Sequence, residues 1–296
     1  MIDLVARRSA RTLAGIISKS STFPPGAAGA LLAFAANSVF CRLALGRAEI
    51  DAASFTLLRL AAGAATLALL CAVQGRAPSR RDLVSAAALF GYAAAFSFAY
   101  RELTAGTGAL LLFGAVQVTM IGHGLLRGER PGPWEWAGLL AALGGLGWLV
   151  SPGLAAPPPL GAGLMAAAGV AWGVYSLRGR QRGDPLATNA GNFVWAVPLG
   201  VLLFAVSPGR AHVSAAGATW AVLSGALASG VGYAVWYAAL PRLTATRAAT
   251  LQLAVPVLAA LGGVLFLGEA LSTRLVLASV LVLGGVAGAI AGRRRA

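Results

Sequence analysis

Charged side chains are scarce in this sequence. They account for 11% of its 296 residues, whereas soluble domains average about 25%. Only nine residues are acidic, and hydrophobic residues make up 58% of the chain. The remaining polar side chains are too few to cover the surface of a water-soluble globule. The composition therefore excludes an ordinary soluble domain and predicts a membrane protein.

Groups that carry enzyme chemistry are also few. The chain has two histidines and two cysteines, and the spacing of Cys41 and Cys71 matches neither a metal site nor a disulfide framework. The nine acidic residues fall in the N-terminal tail, in loops or at the ends of hydrophobic segments. Hydrolysis, group transfer and metal chemistry need such groups gathered in one place. We expect no cofactor and no metal, and an intramembrane enzyme is a remote alternative.

The basic residues outnumber the acidic ones by 23 to 9 and give the chain a net charge of +14. They form no basic face of the kind that binds nucleic acid, because they lie in the breaks between hydrophobic runs. This distribution is typical of membrane proteins, in which basic loops set the orientation of the chain. We therefore expect a lipid bilayer, and no nucleic acid, as a partner.

Hydrophobic segments long enough to cross a bilayer recur along the chain. A membrane-spanning helix needs about 20 apolar residues, since its backbone polar groups must be paired within the segment. Such windows fall at about 26–45, 52–73, 83–101, 104–126, 134–151, 160–177, 188–206, 217–239, 246–267 and 274–292. The sequence predicts an all-α membrane protein with ten transmembrane helices, a cytoplasmic N-terminal tail (1–25) and a basic C-terminal tail (293–296).

The basic residues also orient the predicted helices. With a cytoplasmic N-terminus, 17 of them lie on the cytoplasmic side and four on the other, as the positive-inside rule requires. Both termini then face the cytoplasm, as do residues 76–82 and 178–187, whereas residues 151–159 lie outside. Arginine outnumbers lysine 22 to 1, which hints at a GC-rich bacterial genome. We expect a multi-pass protein of the bacterial inner membrane.

The two halves of the chain resemble each other. A shift of 140 residues places Gly128-Glu129 on Gly268-Glu269, Gly144-Gly145 on Gly284-Gly285 and Thr104 on Thr244; a shift of 135 places residues 37–40 on 172–175. This predicts a duplicated five-helix unit, at 26–151 and 160–292. Because five is odd, the second copy enters the membrane from the opposite side. Such inverted repeats around a central site are typical of secondary transporters.

These features resemble the drug/metabolite transporter superfamily, in particular its ten-helix exporter branch with two EamA-type repeats. The resemblance covers about residues 27–292. It is carried by the glycine pairs of the fifth and tenth segments and by Arg59, Glu129, Pro256 and Glu269. Val116 departs from the pattern, since it stands where the second repeat has Pro256. The aromatic amino acid exporters look like the nearest branch.

The resemblance implies a central cavity surrounded by helices one to four and six to nine, with the fifth and tenth outside. Polar and aromatic residues in those helices are the candidate substrate-binding residues: Asn37, Phe40, Arg59, Tyr92, Gln117, Trp172, Asn192, Trp195, Tyr233, Trp236 and Gln252. Amides can equally bond between helices, and aromatic rings can equally face lipid or pack. Arg59 either holds a substrate carboxylate or, the favoured alternative, pairs with backbone carbonyls or snorkels toward the outer surface. Arg42 is expected to snorkel as well.

Two further features concern helix shape and assembly. Pro198 and Pro256 interrupt backbone hydrogen bonding inside their segments and predict helix bends. Gly284, Gly288 and Gly292 form a small-residue stripe that permits close approach of backbones. We interpret the stripe as packing of the tenth helix on its neighbours rather than as a dimer contact, and a monomer is favoured.

The sequence predicts an exporter of small metabolites that works by alternating access, with amino acids, including aromatic ones, as the favoured cargo. No Asp or Glu falls within a segment at membrane depth, where proton-coupled carriers keep an Asp, Glu or His, and His123 is the only titratable candidate inside a predicted span. We therefore expect a facilitator without ion coupling. A proton-coupled exporter of drugs or of purine-like or sugar-like metabolites is the alternative.

Overall fold

The computed structural model describes residues 26–79, 82–128, 132–153, 156–179, 183–209, 211–239, 251–252 and 254–292. These residues form helices joined by short loops, and an isolated antiparallel bridge joins Ile50 to Val213. The predicted tails 1–25 and 293–296 lie outside the described residues, as does Glu129.

The helices follow one another along the chain with bounds close to the hydrophobic windows. They are α1 (Ala27–Gly46), α2 (Ala52–Val73), α3 (Leu83–Ala99), α4 (Ala105–Leu126), α5 (Pro133–Val150), α6 (Pro159–Gly179), α7 (Pro185–Val206), α8 (Ala215–Ala239), α9 (Ala254–Leu267) and α10 (Thr273–Gly292). Six of them, α1, α2, α4, α6, α7 and α8, are long and apolar enough to cross a membrane. The remaining four contain shorter apolar stretches over their described residues. An all-helical membrane protein is thus confirmed, and the number ten stays a prediction.

Polar side chains fix where the helices begin. Asp51, Asp82, Thr104, Asp184 and Ser214 each stand at an N-cap and accept hydrogen bonds from backbone N–H groups of the first turn. These caps satisfy donors that have no partner within the helix. Each cap lies at or just before the start of a hydrophobic window, so the boundary is set by the chain itself.

Two helices depart from α-helical geometry. The last turn of α1, Arg42–Gly46, and the middle of α8, Ser224–Val231, are π-helical. In the second of these, α8 approaches α2 so closely that a side chain at Gly225 would overlap the backbone carbonyl oxygen of Arg59. Such π segments occur often at functional sites, and nothing in the hydrophobic pattern predicted them.

The helices pair across the two halves of the chain. In the described residues α2 packs on α7, α4 on α9 and α5 on α10, while α6 packs on α3 and α4, and α1 packs on α8 and α9. Exchanging α1–α5 with α6–α10 leaves this set of pairs unchanged. The backbone N–H of Asp51, before α2, bonds to the carbonyl of His212, after α7, whereas Arg76, after α2, pairs with Asp184, before α7. Helices α2 and α7 therefore run antiparallel.

Glycines of the two pairs pack α5 on α10, but these glycines are not those of the predicted stripe Gly284, Gly288 and Gly292. A Cβ at Gly285 would meet the carbonyl oxygen of Gly138 and the backbone of Ala142, and one at Gly145 would meet Leu281 and Val282. Cβ atoms added at Gly284 and Gly288 would meet open space. The expectation that Gly284 and Gly288 pack on a neighbouring helix is therefore wrong, because the helix turns the adjacent Gly285 toward α5.

Candidate functional site

A cluster of aromatic rings occupies the interior where the two halves meet. Trp172 on α6 is its centre, with ring centroids of Tyr92 and Tyr233 each 5.0 Å away and that of Tyr175 at 5.4 Å. Phe34 on α1 lies edge-on to Tyr233 at 5.7 Å and to Trp236 at 5.8 Å. Offset and edge-to-face contacts of this kind are the favourable ones between aromatic rings. Helices from both halves are thereby joined through one group of side chains.

A small cavity lies within this cluster, which we call the central cavity. It is lined by Phe34, Asn37, Ser38, Tyr92, Phe96, Leu112, Phe113, Trp172 and Tyr233. The volume open to the centre of a water molecule is about 20 Å³, which is room for about one water. The described side chains thus close around a space too small for a metabolite.

Polar groups enter the cavity wall from α1 and α8. The Asn37 amide Nδ2 donates to the Tyr92 hydroxyl at 3.2 Å, and the Ser224 hydroxyl donates to Asn37 Oδ1 at 2.6 Å. The Sγ of Cys41 lies 4.0 Å from the Ser224 oxygen. Asn37 is 5% exposed, so its amide is satisfied by protein partners and holds Tyr92 in place.

A second polar group lies beside the cluster on α6 and α7. The Tyr175 hydroxyl donates to Asn189 Oδ1, and Asn192 Nδ2 donates to the same hydroxyl at 3.4 Å. Because the single proton of Tyr175 points to Asn189, Asn192 must be the donor in its bond, which orients its amide. The Oδ1 of Asn192 then has no hydrogen-bond partner among the described residues, although Asn192 is 2% exposed.

Arg59 on α2 is buried next to the same rings. Only 2% of the residue is exposed, so the alternative in which it snorkels to the surface is wrong. Its Cζ lies 5.1 Å from the ring centroid of Phe96 and 5.5 Å from that of Tyr92, within cation–π range. Nη2 donates a long bond of 3.5 Å to the Ser229 hydroxyl, and Nη1 has no hydrogen-bond partner in the described part of the chain.

At one end of the bundle an ion pair joins the two halves. Arg42 Nε lies 3.1 Å from Glu269 Oε1, with side chains 20% and 12% exposed. Arg42 Nη1 also donates to the carbonyl of Tyr100 at 3.1 Å, and Glu269 Oε2 accepts from the backbone N–H of Ala105 at 2.8 Å. These partners hold the Arg42 guanidinium between α1, α3, α4 and α9, beside Gly46 at the end of α1. That Arg42 snorkels to the membrane surface stays a prediction.

At the opposite end of the bundle, beyond the end of α2, a second ion pair joins the two halves. Arg178 at the end of α6 lies 3.1 Å from Asp82 and donates to the Ser85 hydroxyl at 3.1 Å. Burial would raise the pKa of the Asp82 carboxyl, but hydrogen bonds from Ser85 and the charge of Arg178 lower it overall. The pair therefore persists at neutral pH and is lost only as the pH falls below the usual Asp range. Arg76 and Asp184 form a more exposed pair nearby.

A wider basin lies at the same end of the bundle as Arg42. Its volume is about 380 Å³, and Asp51, Phe98, Arg101, Ser207 and His212 are among its lining residues. Burial would raise the pKa of Asp51, but backbone N–H groups of Ser54, His212 and Ala53 lower it, so the carboxylate stays charged at neutral pH. The basin is large enough for a metabolite, whereas the central cavity is not.

The structure brings part of the predicted site together. Asn37, Tyr92, Trp172 and Tyr233 line the central cavity, while Arg59, Asn192 and Trp236 are buried in the layer around it. The other predicted residues lie apart from this lining: Phe40 stacks on Trp220 at 5.8 Å, Gln117 is buried on α4, and Trp195 and Gln252 are half-buried. The predicted bends lie inside α7 (Pro198) and two residues into α9 (Pro256).

Sequence reasoning missed several residues that line or border the cavity. Phe34 and Phe96 carry a signal that could have found them, because they stand three residues before Asn37 and four after Tyr92, on the same helical faces. Ser224 and Ser229 gave no such signal, since serine is common in membrane helices. Both serines lie in the π segment of α8, where Ser224 bonds to Asn37 and Ser229 bonds to Arg59.

Comparison with known proteins agrees with this architecture. The model of the EamA-like transporter family matches residues 26–151 and 159–291. A protein of Pseudomonas aeruginosa described as uncharacterized is 58% identical over 260 residues, which cover 87% of this chain and 91% of the relative. A crystal structure 24% identical in sequence superposes with a TM-score of 0.63 and covers 90% of this chain and 99% of its own, which is a likeness of fold alone.

Proposed function

The chain belongs to the EamA-like transporter family, and we propose that it moves small metabolites, with amino acids favoured, across the bacterial inner membrane by alternating access. The observation that carries the proposal is the small central cavity between two ion-paired ends. The Arg42–Glu269 pair closes one end and the Arg178–Asp82 pair closes the other. Each pair joins one half of the chain to the other, so breaking one while keeping the other opens the cavity to one side only.

Two inverted five-helix repeats, at 26–151 and 160–292, are part of this proposal. The match of one family model to two consecutive segments supports the duplication. The antiparallel α2 and α7, and the exchange symmetry of the helix pairs, support the inversion. Rocking of such repeats about a site between them is the mechanism we propose, with both termini in the cytoplasm and a monomer as the working unit.

Aromatic side chains make amino acids, including aromatic ones, the favoured cargo. Trp172, Tyr92 and Tyr233 are each within 5.0 Å of another ring of this cluster. Their faces can stack on a planar side chain or attract an ammonium group. The aromatic exporter branch and the outward direction of transport rest on the sequence resemblance, and the presence of a relative in Pseudomonas aeruginosa supports a bacterial setting.

Transport is proposed to need no ion gradient. Glu102 lies exposed in the turn between α3 and α4, and Glu269 is paired with Arg42 at a helix end. Neither carboxylate stands at the central cavity, where a proton-coupled carrier would place a group that gains and loses a proton. The cargo's own gradient then sets the direction of net movement.

Counterflow tests transport and coupling together. Proteoliposomes preloaded with unlabelled amino acid, without any ion gradient, are expected to accumulate the same amino acid in labelled form, because exchange needs only alternating access. A panel of amino acids, purines and sugars identifies the cargo. Protein-free liposomes are the control. Concentrative uptake that appears only with an imposed proton or sodium gradient and disappears with an ionophore would contradict the absence of coupling.

Accessibility labelling tests the orientation. We expect a membrane-impermeant maleimide to label Pro158→Cys in intact cells and Ala77→Cys only after permeabilisation, since both positions are exposed but lie in loops assigned to opposite sides. The unmodified chain is the background control, because Cys41 and Cys71 are buried. Labelling of Ala77→Cys from outside would refute the proposed topology.

A further inference from the structure

We propose that Arg59 binds a carboxylate of the cargo, so that the site selects anions and zwitterions and rejects cations. The inference rests on the proposed transport function, because it names the chemical class of the molecule that enters the central cavity. Its basis is a buried positive charge that the described protein does not neutralise.

The hydrogen-bonding capacity of the Arg59 guanidinium is only partly used by the described residues. Arg59 is 2% exposed. Among the described residues it interacts with the Ser229 hydroxyl, with the hydroxyl and ring of Tyr92 and with the ring of Phe96. None of the ion pairs in that part of the chain includes it. A buried charge without a counterion is strongly unfavourable. An anion that enters this region gains a charge-assisted hydrogen bond to the free Nη1.

The guanidinium also lies next to the cavity. The Arg59 guanidinium lies over the rings of Tyr92 and Phe96, and both of these residues line the central cavity. The guanidinium thus lies against two side chains that form the wall of the central cavity. When the carboxylate of a cargo molecule binds Arg59, the remainder of the molecule lies among Tyr92, Trp172 and Tyr233. The rings of these residues can pack on a planar or apolar group.

The second half of the chain provides an internal comparison. Arg59 is the eighth residue after the N-cap Asp51, and Asn192 is the eighth residue after the N-cap Asp184, in helices of 22 residues each. Asn192 is buried to the same degree and bonds to Tyr175. The fold thus accepts a neutral side chain at this helical position, so packing alone does not explain the charge of Arg59. Among the described residues, one polar atom of each has no hydrogen-bond partner, Nη1 of Arg59 and Oδ1 of Asn192.

Binding of matched probes tests the carboxylate directly. The probes are L-phenylalanine, L-phenylalaninamide, 3-phenylpropionate and 3-phenylpropionamide, with the corresponding leucine-derived set, and binding is measured as thermal stabilisation of the full chain in lipid nanodiscs. We expect each acid to bind about ten- to a hundredfold more tightly than its amide. Arg59→Gln should remove this difference, Arg59→Lys should retain part of it, and Arg47→Gln, at an exposed position, should leave it unchanged.

A second measurement needs no ligand. If Arg59 binds cargo and does not stabilise the fold, the melting temperature of the ligand-free Arg59→Met variant should equal or exceed that of the wild type. The substitution removes a buried charge that has no counterion among the described residues. A lower melting temperature would assign Arg59 to the fold and overturn the proposal. Amides that bind as tightly as acids would overturn it as well, while leaving the transporter proposal intact. Acids that bind through Arg59 without any counterflow would instead refute transport alone.

Discussion

Reversing the charge of Arg42 or of Glu269 singly is expected to lower the rate of counterflow at least tenfold. Arg42→Glu places two carboxylates together, and Glu269→Arg places two guanidinium groups together, where the wild-type atoms are 3.1 Å apart and largely buried. Breaking a buried pair costs about 3–5 kcal/mol. The closed state at this end is then disfavoured, so the protein remains open on one side and completes few transport cycles.

The double variant, Arg42→Glu with Glu269→Arg, should recover part of the rate, because the pair re-forms with reversed sign. Recovery is expected to be incomplete, since Arg42 also donates to the Tyr100 carbonyl and Glu269 also accepts from Ala105. The matched control is Arg76→Glu, which breaks the pair of Arg76 with Asp184, whose side chains are 47% and 34% exposed, and which leaves Asp184 in place to cap α7. Exposed pairs contribute only about 0–1 kcal/mol, so this control should transport almost normally. Equal losses at both pairs would refute the role of the Arg42–Glu269 pair in closure.

Replacing Trp172 by alanine is expected to reduce counterflow more than tenfold. Trp172 is the ring that contacts Tyr92, Tyr175 and Tyr233 together, so its loss removes a wall of the central cavity. Truncation of a buried tryptophan also costs about 3–5 kcal/mol of stability. Trp172→Phe, which keeps an aromatic face, separates the two effects and should retain measurable transport.

The control for Trp172→Ala is the same change at Trp220. Trp220 stacks on Phe40 at 5.8 Å, outside the lining of the central cavity. Rates should be normalised to the amount of folded protein, measured by size-exclusion chromatography. Normal transport by Trp172→Ala, or an equal loss in Trp220→Ala, would show that the central cavity is not where cargo binds.

The helical scaffold was predictable because bilayer thickness and capping chemistry act locally. The window 52–73 coincides with α2, and the window 217–239 differs from α8 by two residues at its start. In both cases an N-cap side chain, Asp51 or Ser214, begins the helix. Local rules of this kind need no knowledge of the remaining fold.

The site was predictable only in part, because helix rotation and partner choice are not local. Phe40 and Asn37 lie three residues apart, yet the first stacks on Trp220 and the second lines the cavity. The partner of Arg42 is 227 residues away along the chain, so the sequence did not predict this pair. The expectation that Arg59 snorkels failed because α3 and α8 cover it, as its contacts with Tyr92, Phe96 and Ser229 show.

The π segment of α8 determines the directions around the helix axis in which the later side chains of that helix point. An α-helix turns about 100° for each residue, and a π turn accommodates one residue more than an α turn does. The stretch Ser224–Val231 therefore displaces the angular positions of Tyr233 and Trp236 relative to an uninterrupted helix through Ala215–Leu223. Helix α8 can therefore make two different contacts. The backbone at Gly225 packs on α2, and the rings of Tyr233 and Trp236 contact Phe34.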